Sequence, residues 1–192
     1  MALQHHKVIR LPRTTPVLKA ALGQDSHRFE TARSAKPLML GGVAVRGCPG
    51  LAGNSDADVV LHAVTNAVSG ISGKNILGRV ADRMCLDMGI SDSRAYLKKA
   101  LLTLGPYRLV HVSVCIEGKR PTLARHLPAM RKSLARLCSL TVHDIGITAT
   151  TGEGLTAFGR GLGIQAFAVV SAEKKVLKNN SRYGRDSAPK TP

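Results

Sequence analysis

The chain has 192 residues, 44% of them hydrophobic, and a formal net charge of +16 at pH 7. This length is enough for one domain with a substantial core and too short for two of ordinary size. Because Trp is absent and aromatic residues make up only 3% of the chain, aliphatic side chains must fill that core. No apolar run approaches the roughly 18 residues that a membrane span needs, so we expect a soluble protein.

The positive charge is concentrated at the two ends of the chain. Residues 1–20 carry four basic side chains and no acid, and residues 174–192 carry six basic side chains and one acid. These compositions predict a flexible basic arm at 1–15, a folded domain at 16–173 and a disordered basic tail at 174–192. The arm also has some features of an organelle transit peptide, so an organelle is an alternative location to the cytoplasm.

Hydrophobic periodicity predicts that strands and helices alternate along the chain. Ser55 and Ser91 are predicted to cap the first two helices, whereas residues 73–86 show no clear period and are expected to be rich in loops. The pattern favours an α/β or α+β fold, in which a single compact domain has a mixed β-sheet with helices packed on one side. The predicted strands are 16–23, 38–45 with a turn or bulge at Gly41 and Gly42, 108–116, 145–149 and 163–170, and the predicted helices are 55–71, 91–104 and 127–137.

The four cysteines are widely spaced and form no C-x-x-C pair. Such spacing is typical of free thiols and indicates a reducing compartment. Cys115 lies in an apolar strand pattern and Cys138 lies near a helix end. Both are therefore predicted to be small core residues.

A candidate metal site lies where the first predicted strand ends. Asp25 and His27 share one face of an extended segment, and Ser26 points to the other face. His62, on the first predicted helix, could supply a third ligand. Zinc held by three protein groups keeps its fourth position open, which is typical of a catalytic metal. Alternatively, the Asp-x-His spacing arises by chance and His62 is a hydrogen-bonded core residue.

Two acids open the same helix and have two interpretations. Asp58 lies one turn before His62 and could orient the second ring nitrogen of that histidine. The alternative is that Asp56 and Asp58 only cap the helix and favour its dipole.

The segment from Thr150 to Gly154 is rich in glycine and hydroxyl groups and follows a predicted strand. Its backbone amides and hydroxyls could hold phosphate oxygens, although glycine and threonine are also common in simple connecting loops. The segment matches neither the P-loop nor the dinucleotide-binding motif. Nucleotide hydrolysis by a P-loop is therefore not expected.

Several motifs in fixed order resemble those of the 2-C-methyl-D-erythritol 2,4-cyclodiphosphate synthases, a family of the non-mevalonate isoprenoid pathway. The resemblance covers residues 17–172 and is far more specific than the Asp-x-His spacing. The motifs that carry it are GQDSHRF at 23–29, LGGV at 40–43, NSDADVVLHA at 54–63, DSR at 92–94, GKRPTL at 118–123, HLPAMR at 126–131, ATTGEGL at 149–155 and GRGLGI at 159–164.

The resemblance implies a metal-dependent phosphorus-oxygen lyase. The 2-phosphate of 4-diphosphocytidyl-2-C-methyl-D-erythritol 2-phosphate would attack the β-phosphorus, releasing CMP and closing 2-C-methyl-D-erythritol 2,4-cyclodiphosphate. The resemblance also implies a homotrimer with active sites between subunits. One Zn²⁺ per subunit would bind Asp25, His27 and His62, and Glu153 would help to hold Mg²⁺ or Mn²⁺ with the substrate.

The resemblance further implies which residues contact the substrate. Asn54 and Thr151 would be catalytic, as donors to phosphate oxygens. Residues 118–124 would hold the cytosine, Asp82 the ribose, and residues 88–92 the erythritol side. The implied substrate-binding residues are Ser26, Ser55, Asp82, Met88, Asp92, Gly118, Lys119, Arg120, Pro121, Thr122, Leu123, Ala124, Thr150, Gly152, Ala157 and Arg160.

Three positions depart from the common pattern of the family. Asn54 replaces a histidine, Thr122 replaces a lysine, and Leu162 replaces an acid. Asn54 and Leu162 keep open a second hypothesis, a catalytically weakened metal-binding trimer that serves as a scaffold or partner. A third hypothesis, a nucleic-acid-binding protein, is disfavoured because three Tyr and three Phe offer little stacking surface and the excess charge lies at the ends. No specific nucleic acid or membrane partner is expected.

Overall fold

A computed structural model describes residues 17–31 and 33–174. The predicted arm at 1–15 and the predicted tail beyond 174 lie outside these residues. The strands are β1 Leu18–Arg28, β2 Pro37–Leu40, β3 Val43–Pro49, β4 Tyr107–Glu117, β5 Ile145–Thr150 and β6 Gly163–Lys174, and the helices are α1 Val59–Ser72, α2 Arg79–Asp82, α3 Ser93–Leu101 and α4 Leu127–Cys138.

In the described part of the chain, four strands form a mixed sheet in the order β1-β6-β4-β5, and β2 and β3 form a separate hairpin. β6 is antiparallel to both of its neighbours, and β4 is parallel to β5. Helix α1 packs against β1, β6 and β4. The predicted mixed sheet with helices is therefore confirmed.

The sheet has one buried and one open face. On the buried face, Val112 pairs with Val170 and with Ile145, and all three are almost fully buried. The opposite face exposes Leu22 and Val169, which pair with each other. None of the described helices is long and apolar enough to cross a membrane.

Gly23 brings α1 against β1. A Cβ at this position would lie 2.1 Å from the carbonyl oxygen of Ala63 and 2.3 Å from the backbone nitrogen of Ala67, so only glycine allows the helix to come this close. His62 precedes Ala63 on the helix, and Asp25 follows Gly23 by two residues on the strand. The close approach at Gly23 therefore brings the predicted metal ligands together.

The hairpin and the start of α1 are joined by Asp58. Gly41 and Gly42 both have positive φ, 61° and 76°, as a tight two-residue hairpin turn requires. Their backbone N–H groups donate to the two carboxylate oxygens of Asp58, with N···O distances of 2.8 and 2.6 Å, and the N–H groups of Val60 and Leu61 donate to the first of these oxygens. Asp58 thus satisfies donors from two separate elements.

Several predicted boundaries are wrong for the same reason. Helix α1 begins at Val59 with Asp58 as its N-cap, not at Ser55, and α3 begins at Ser93 with Asp92 as its N-cap, not at Ser91. A carboxylate accepts more hydrogen bonds than a hydroxyl, so the nearby aspartates take the capping position.

Other boundaries differ because of pairing and packing. The single strand predicted at 38–45 is two strands, and the segment predicted to be loop-rich contains α2 and a π-helical turn, Arg83–Asp87. Helix α3 ends at Leu101, before the predicted end at residue 104. Lys174, predicted to belong to the tail, is the last residue of β6 and pairs with Tyr107. Cys138 is buried as predicted, whereas Cys115 is exposed on the open face of the sheet.

Candidate metal centre and active site

Asp25, His27 and His62 converge at the end of β1. One carboxylate oxygen of Asp25 lies 2.9 Å from Nε2 of His27 and 2.8 Å from Nδ1 of His62, and the two nitrogens are 3.3 Å apart. Ser26 is exposed. The predicted alternation, with Asp25 and His27 on one face, is confirmed.

These three side chains fit a divalent metal ion. Their ligand atoms all lie within 4.8 Å of one another, and a carboxylate with two imidazoles is a donor set suited to zinc and neighbouring metals. Burial raises the pKa of the Asp25 carboxyl, but hydrogen bonds and positive potential from His27 and His62 outweigh it and hold the pKa well below its usual range. The carboxylate is therefore ionised at neutral pH, which is the form that binds metal.

The second nitrogen of His62 has a partner that the sequence did not indicate. Nε2 lies 2.8 Å from Oγ of Ser93, and that hydroxyl donates to the carboxylate of Asp56. The prediction that Asp58 orients His62 is wrong, because both Asp58 oxygens accept backbone N–H groups from the hairpin and from α1. Ser93 belongs to a motif noted in the sequence, but no local spacing connects it to a residue 31 positions away.

A cavity of about 300 Å³ opens beside the three ligands. It brings Asn54, a predicted catalytic residue, and Ser55 and Asp82, two predicted substrate residues, next to the metal site. Sequence reasoning missed Cys85 and Tyr96. Neither residue belongs to a motif or a spacing that indicated a functional site. The lining residues are Asp25, His27, Gly53, Asn54, Ser55, His62, Leu77, Gly78, Ala81, Asp82, Cys85 and Tyr96.

A second cavity, of about 240 Å³, lies at the other edge of the sheet. It joins the predicted cytosine segment to Thr150 and Thr151, the predicted phosphate residues. Arg120 belongs to that segment but does not line the cavity, since its guanidinium lies 4.8 Å from the centre of the Phe29 ring. The lining residues are Gly118, Lys119, Pro121, Thr122, Leu123, Ala124, Leu127, Ala149, Thr150 and Thr151.

The structure places Glu153, in the glycine-rich segment, and Arg160, which follows that segment, outside both cavities. Glu153 is exposed in a short 3-10 turn, Gly152–Gly154, and has a φ of 48°. Arg160 is also exposed, and its guanidinium donates to the carbonyl oxygen of Leu155. Neither residue joins the Asp25, His27 and His62 cluster in the described part of the chain.

The remaining predicted residues are scattered. Ser26 and Ala157 line a third cavity of about 500 Å³, together with Leu162. Met88 is exposed. Asp92 caps α3 and forms an ion pair with Arg94, at 2.6 Å between Oδ2 and a terminal guanidinium nitrogen.

The metal cavity and the second cavity lie at opposite edges of the sheet. His27 pairs with Ile164 near one end of β6, and Thr150 pairs with Glu117 at the same end of the sheet. β1 and β5 are separated by three inter-strand spacings of roughly 4.8 Å, which sum to about 14 Å. Within one chain, one phosphate group cannot contact both the metal ligands and Thr151.

The fold and the site define an α/β protein with a candidate centre for a divalent metal ion. The YgbB family model matches residues 18–173. The chain therefore belongs to the YgbB family. A relative from Chlamydia trachomatis serovar L2b, named 2-C-methyl-D-erythritol 2,4-cyclodiphosphate synthase, is 46% identical over 162 residues, which are 84% of this chain and 91% of the relative. A relative of the same name from Chlamydia felis is also 46% identical. The family suggested by the sequence motifs is confirmed.

Solved structures share the fold. A CDP-bound 2C-methyl-D-erythritol-2,4-cyclodiphosphate synthase matches 80% of this chain and 99% of its own, with a TM-score of 0.66 and 31% identity. The bifunctional IspDF of Campylobacter jejuni matches 84% of this chain with a TM-score of 0.76 and 26% identity, but the match spans only 43% of that longer protein.

Proposed function

We propose that this chain is a lyase of non-mevalonate isoprenoid biosynthesis. It would cyclise 4-diphosphocytidyl-2-C-methyl-D-erythritol 2-phosphate to 2-C-methyl-D-erythritol 2,4-cyclodiphosphate and release CMP. The observation that carries the proposal is the convergence of Asp25, His27 and His62 beside Asn54 in one cavity, in a chain 46% identical to relatives named for this reaction.

The chemistry requires charge neutralisation and alignment more than a covalent nucleophile. Two anionic groups of one substrate must come into line, and a protein can supply donors and cations that favour the transition state. A zinc ion on the three ligands would supply Lewis-acid polarisation of a phosphate oxygen. The Asn54 amide and the Thr151 hydroxyl would donate hydrogen bonds to phosphate oxygens, and the Glu153 carboxylate would hold Mg²⁺ or Mn²⁺.

The two cavities divide the substrate between them. Residues 118–124, at the second cavity, would bind the cytosine through backbone groups, and Thr150 and Gly152 would bind phosphate. On the metal side, Ser55 and the segment 88–92 would contact the erythritol phosphate. Asp82 lines the metal cavity. Its proposed contact with the ribose therefore requires a nucleotide that is bound in the second cavity of a neighbouring subunit and extends to Asp82.

A homotrimer with active sites between subunits would bring the two cavities together. The metal ligands and Thr151 must act on the same diphosphate, yet they lie at opposite edges of one sheet. A cyclic assembly places one edge of each chain beside the other edge of its neighbour. The open sheet face, with Leu22 64% and Val169 41% exposed, offers apolar surface for such contacts.

The scaffold alternative is not favoured, because the ligand cluster and the adjoining cavity are complete despite Asn54 and Leu162.

A bacterial cytoplasm is the proposed location, and a plastid-type organelle remains the alternative. Bacterial relatives and four free cysteines support a reducing compartment.

The direct test is to incubate the purified protein with the substrate and Mg²⁺ and to measure CMP and cyclic diphosphate. Formation of both in equal amounts supports the proposal, and absence of CMP from zinc-loaded protein contradicts it.

The shared site is tested by co-expressing His62→Ala with Thr151→Ala. Each variant alone should be nearly inactive, but random hybrids should recover about one site in four, since that fraction combines two intact halves. No recovery in proven hybrids would mean that each chain holds a complete site.

A further inference from the structure

The imidazole of His62 is held at both nitrogens. Nδ1 faces Asp25 and His27, whereas Nε2 lies 2.8 Å from Oγ of Ser93. The Ser93 side chain is fully buried, so no water competes with it for this contact. Nδ1 of the ring therefore faces the candidate metal site, and Nε2 faces the buried hydroxyl of Ser93.

The carboxylate of Asp56 determines the direction of these hydrogen bonds. A carboxylate can only accept, so the Ser93 hydroxyl must donate its single proton to Asp56. Toward His62 the hydroxyl can then act only as an acceptor. Nε2 must therefore carry a hydrogen, which leaves Nδ1 as the nitrogen that a metal ion held with Asp25 and His27 would bind.

We propose that Ser93 and Asp56 are positioning residues that hold His62 in the Nε2–H tautomer, so that Nδ1 is ready to bind the metal ion. This inference rests on the metal site of the proposed function, but it assigns a role to two residues outside the metal ligands. Partners of this kind orient the imidazole and raise its basicity as a ligand.

Backbone contacts keep the Asp56 carboxylate in place. Its second oxygen accepts the backbone N–H of Ser93 at 3.2 Å, and its own N–H donates to the carbonyl oxygen of Ser91 at 2.8 Å. The N–H of Asp58 donates to the first oxygen at 3.2 Å. The start of α3 is thus tied to the loop before α1, which holds the Asp56 carboxylate within hydrogen-bond distance of the Ser93 hydroxyl.

The test measures zinc affinity of the metal-free full chain by chelator competition, without substrate. Ser93→Ala should weaken zinc binding about 10–100-fold, the usual effect of losing such a partner. Asp56→Asn should weaken it less, because an amide oxygen can still accept from Ser93. Ser69→Ala is the matched control, since Ser69 is also buried, lies on the same helix as His62, and has no hydrogen-bond partner for its hydroxyl among the described residues. The zinc affinity of Ser69→Ala should match that of wild type.

Nitrogen-15 NMR of zinc-loaded wild type gives a second readout that does not depend on any variant folding. We expect a slowly exchanging proton on Nε2 of His62 and a metal-shifted Nδ1. A proton on Nδ1 with zinc on Nε2 would overturn the proposal, as would wild-type zinc affinity in folded Ser93→Ala. Tight zinc binding without CMP release would contradict the proposed reaction and leave this inference supported, whereas failure of wild type to bind zinc would overturn both the inference and the metal site.

Discussion

Two regions of this molecule are built in different ways: the candidate metal end, at Asp25, His27 and His62, and the proposed nucleotide end, at residues 118–124 and 150–153. At the metal end, His62, Ser93 and Asp58 are buried, and each makes hydrogen bonds within the chain. At the nucleotide end, Thr151 and Glu153 are exposed on a loop. One half of the proposed site is thus formed by the folding of a single chain, and the other half presents groups for a ligand or a neighbouring chain.

The difference has a structural origin. The metal end lies where α1 contacts β1 at Gly23 and where α3 meets the loop before α1, so its side chains are fixed by the core. The loop at the nucleotide end is held by short-range contacts, such as Thr150 Oγ1 accepting the N–H of Gly152 at 3.2 Å, and by the Thr156 hydroxyl, which donates to Glu117 at the end of β4. Substitutions at the metal end should therefore change metal binding or stability, and those on the loop should change turnover alone.

The largest effect is expected for His62→Ala. Removing one of three ligands should reduce zinc from about one ion per chain to a small fraction and abolish turnover, because affinity depends on all of the ligands. Elemental analysis of protein never exposed to chelator measures this. His143→Ala, at an exposed histidine, is the control and should retain full zinc. Undiminished zinc in His62→Ala would place the metal elsewhere.

Glu153→Gln tests the other end. It should leave zinc and the melting temperature unchanged but remove most Mg²⁺-dependent turnover, because a charged oxygen ligand suited to a hard ion is lost. Titrating CMP release against Mg²⁺ measures the effect. An unchanged Mg²⁺ dependence would show that Glu153 does not hold the ion, and a loss of zinc would show that the two ends are coupled within the chain.

Asn54 lies in the metal cavity and concerns a donor rather than a ligand. Asn54→Ala should lower CMP release by more than about tenfold, as expected for loss of one transition-state donor. The rate of Asn54→His should remain within a few-fold of wild type. It should gain a pH dependence centred at about 6.5, the ordinary pKa of an imidazole. Rates for both variants across pH decide this, and an alanine variant as fast as wild type would mean that Asn54 does not contact the phosphates.

Gly23→Ala should have the smallest effect on chemistry and acts through the fold. The added Cβ would push α1 from β1, which should cost about 1–3 kcal/mol of unfolding free energy and weaken zinc binding. Gly146→Ala is the control, because a Cβ there meets no atom closer than 3.7 Å. Denaturant unfolding of both variants measures the difference, and equal stabilities would mean that the contact at Gly23 relaxes freely.

Local patterns in the sequence determined much of this protein. The alternation along β1 placed Asp25 and His27 on one face, the apolar periodicity predicted α1, and the ordered motifs identified the family. These predictions succeeded because each depends on residues close together in the chain or on a linear pattern of motifs.

Only the tertiary structure decided which distant groups meet. It assigned Ser93 rather than Asp58 to His62, exposed Cys115 on the open sheet face, and separated the metal ligands from Thr151 by the width of the sheet. Periodicity reports which face of an element is apolar, but hydrogen-bond partners and cavities depend on how elements far apart in the chain pack together. At Gly23, the absence of a single Cβ sets the distance between α1 and β1, and local patterns of hydrophobicity do not encode that distance.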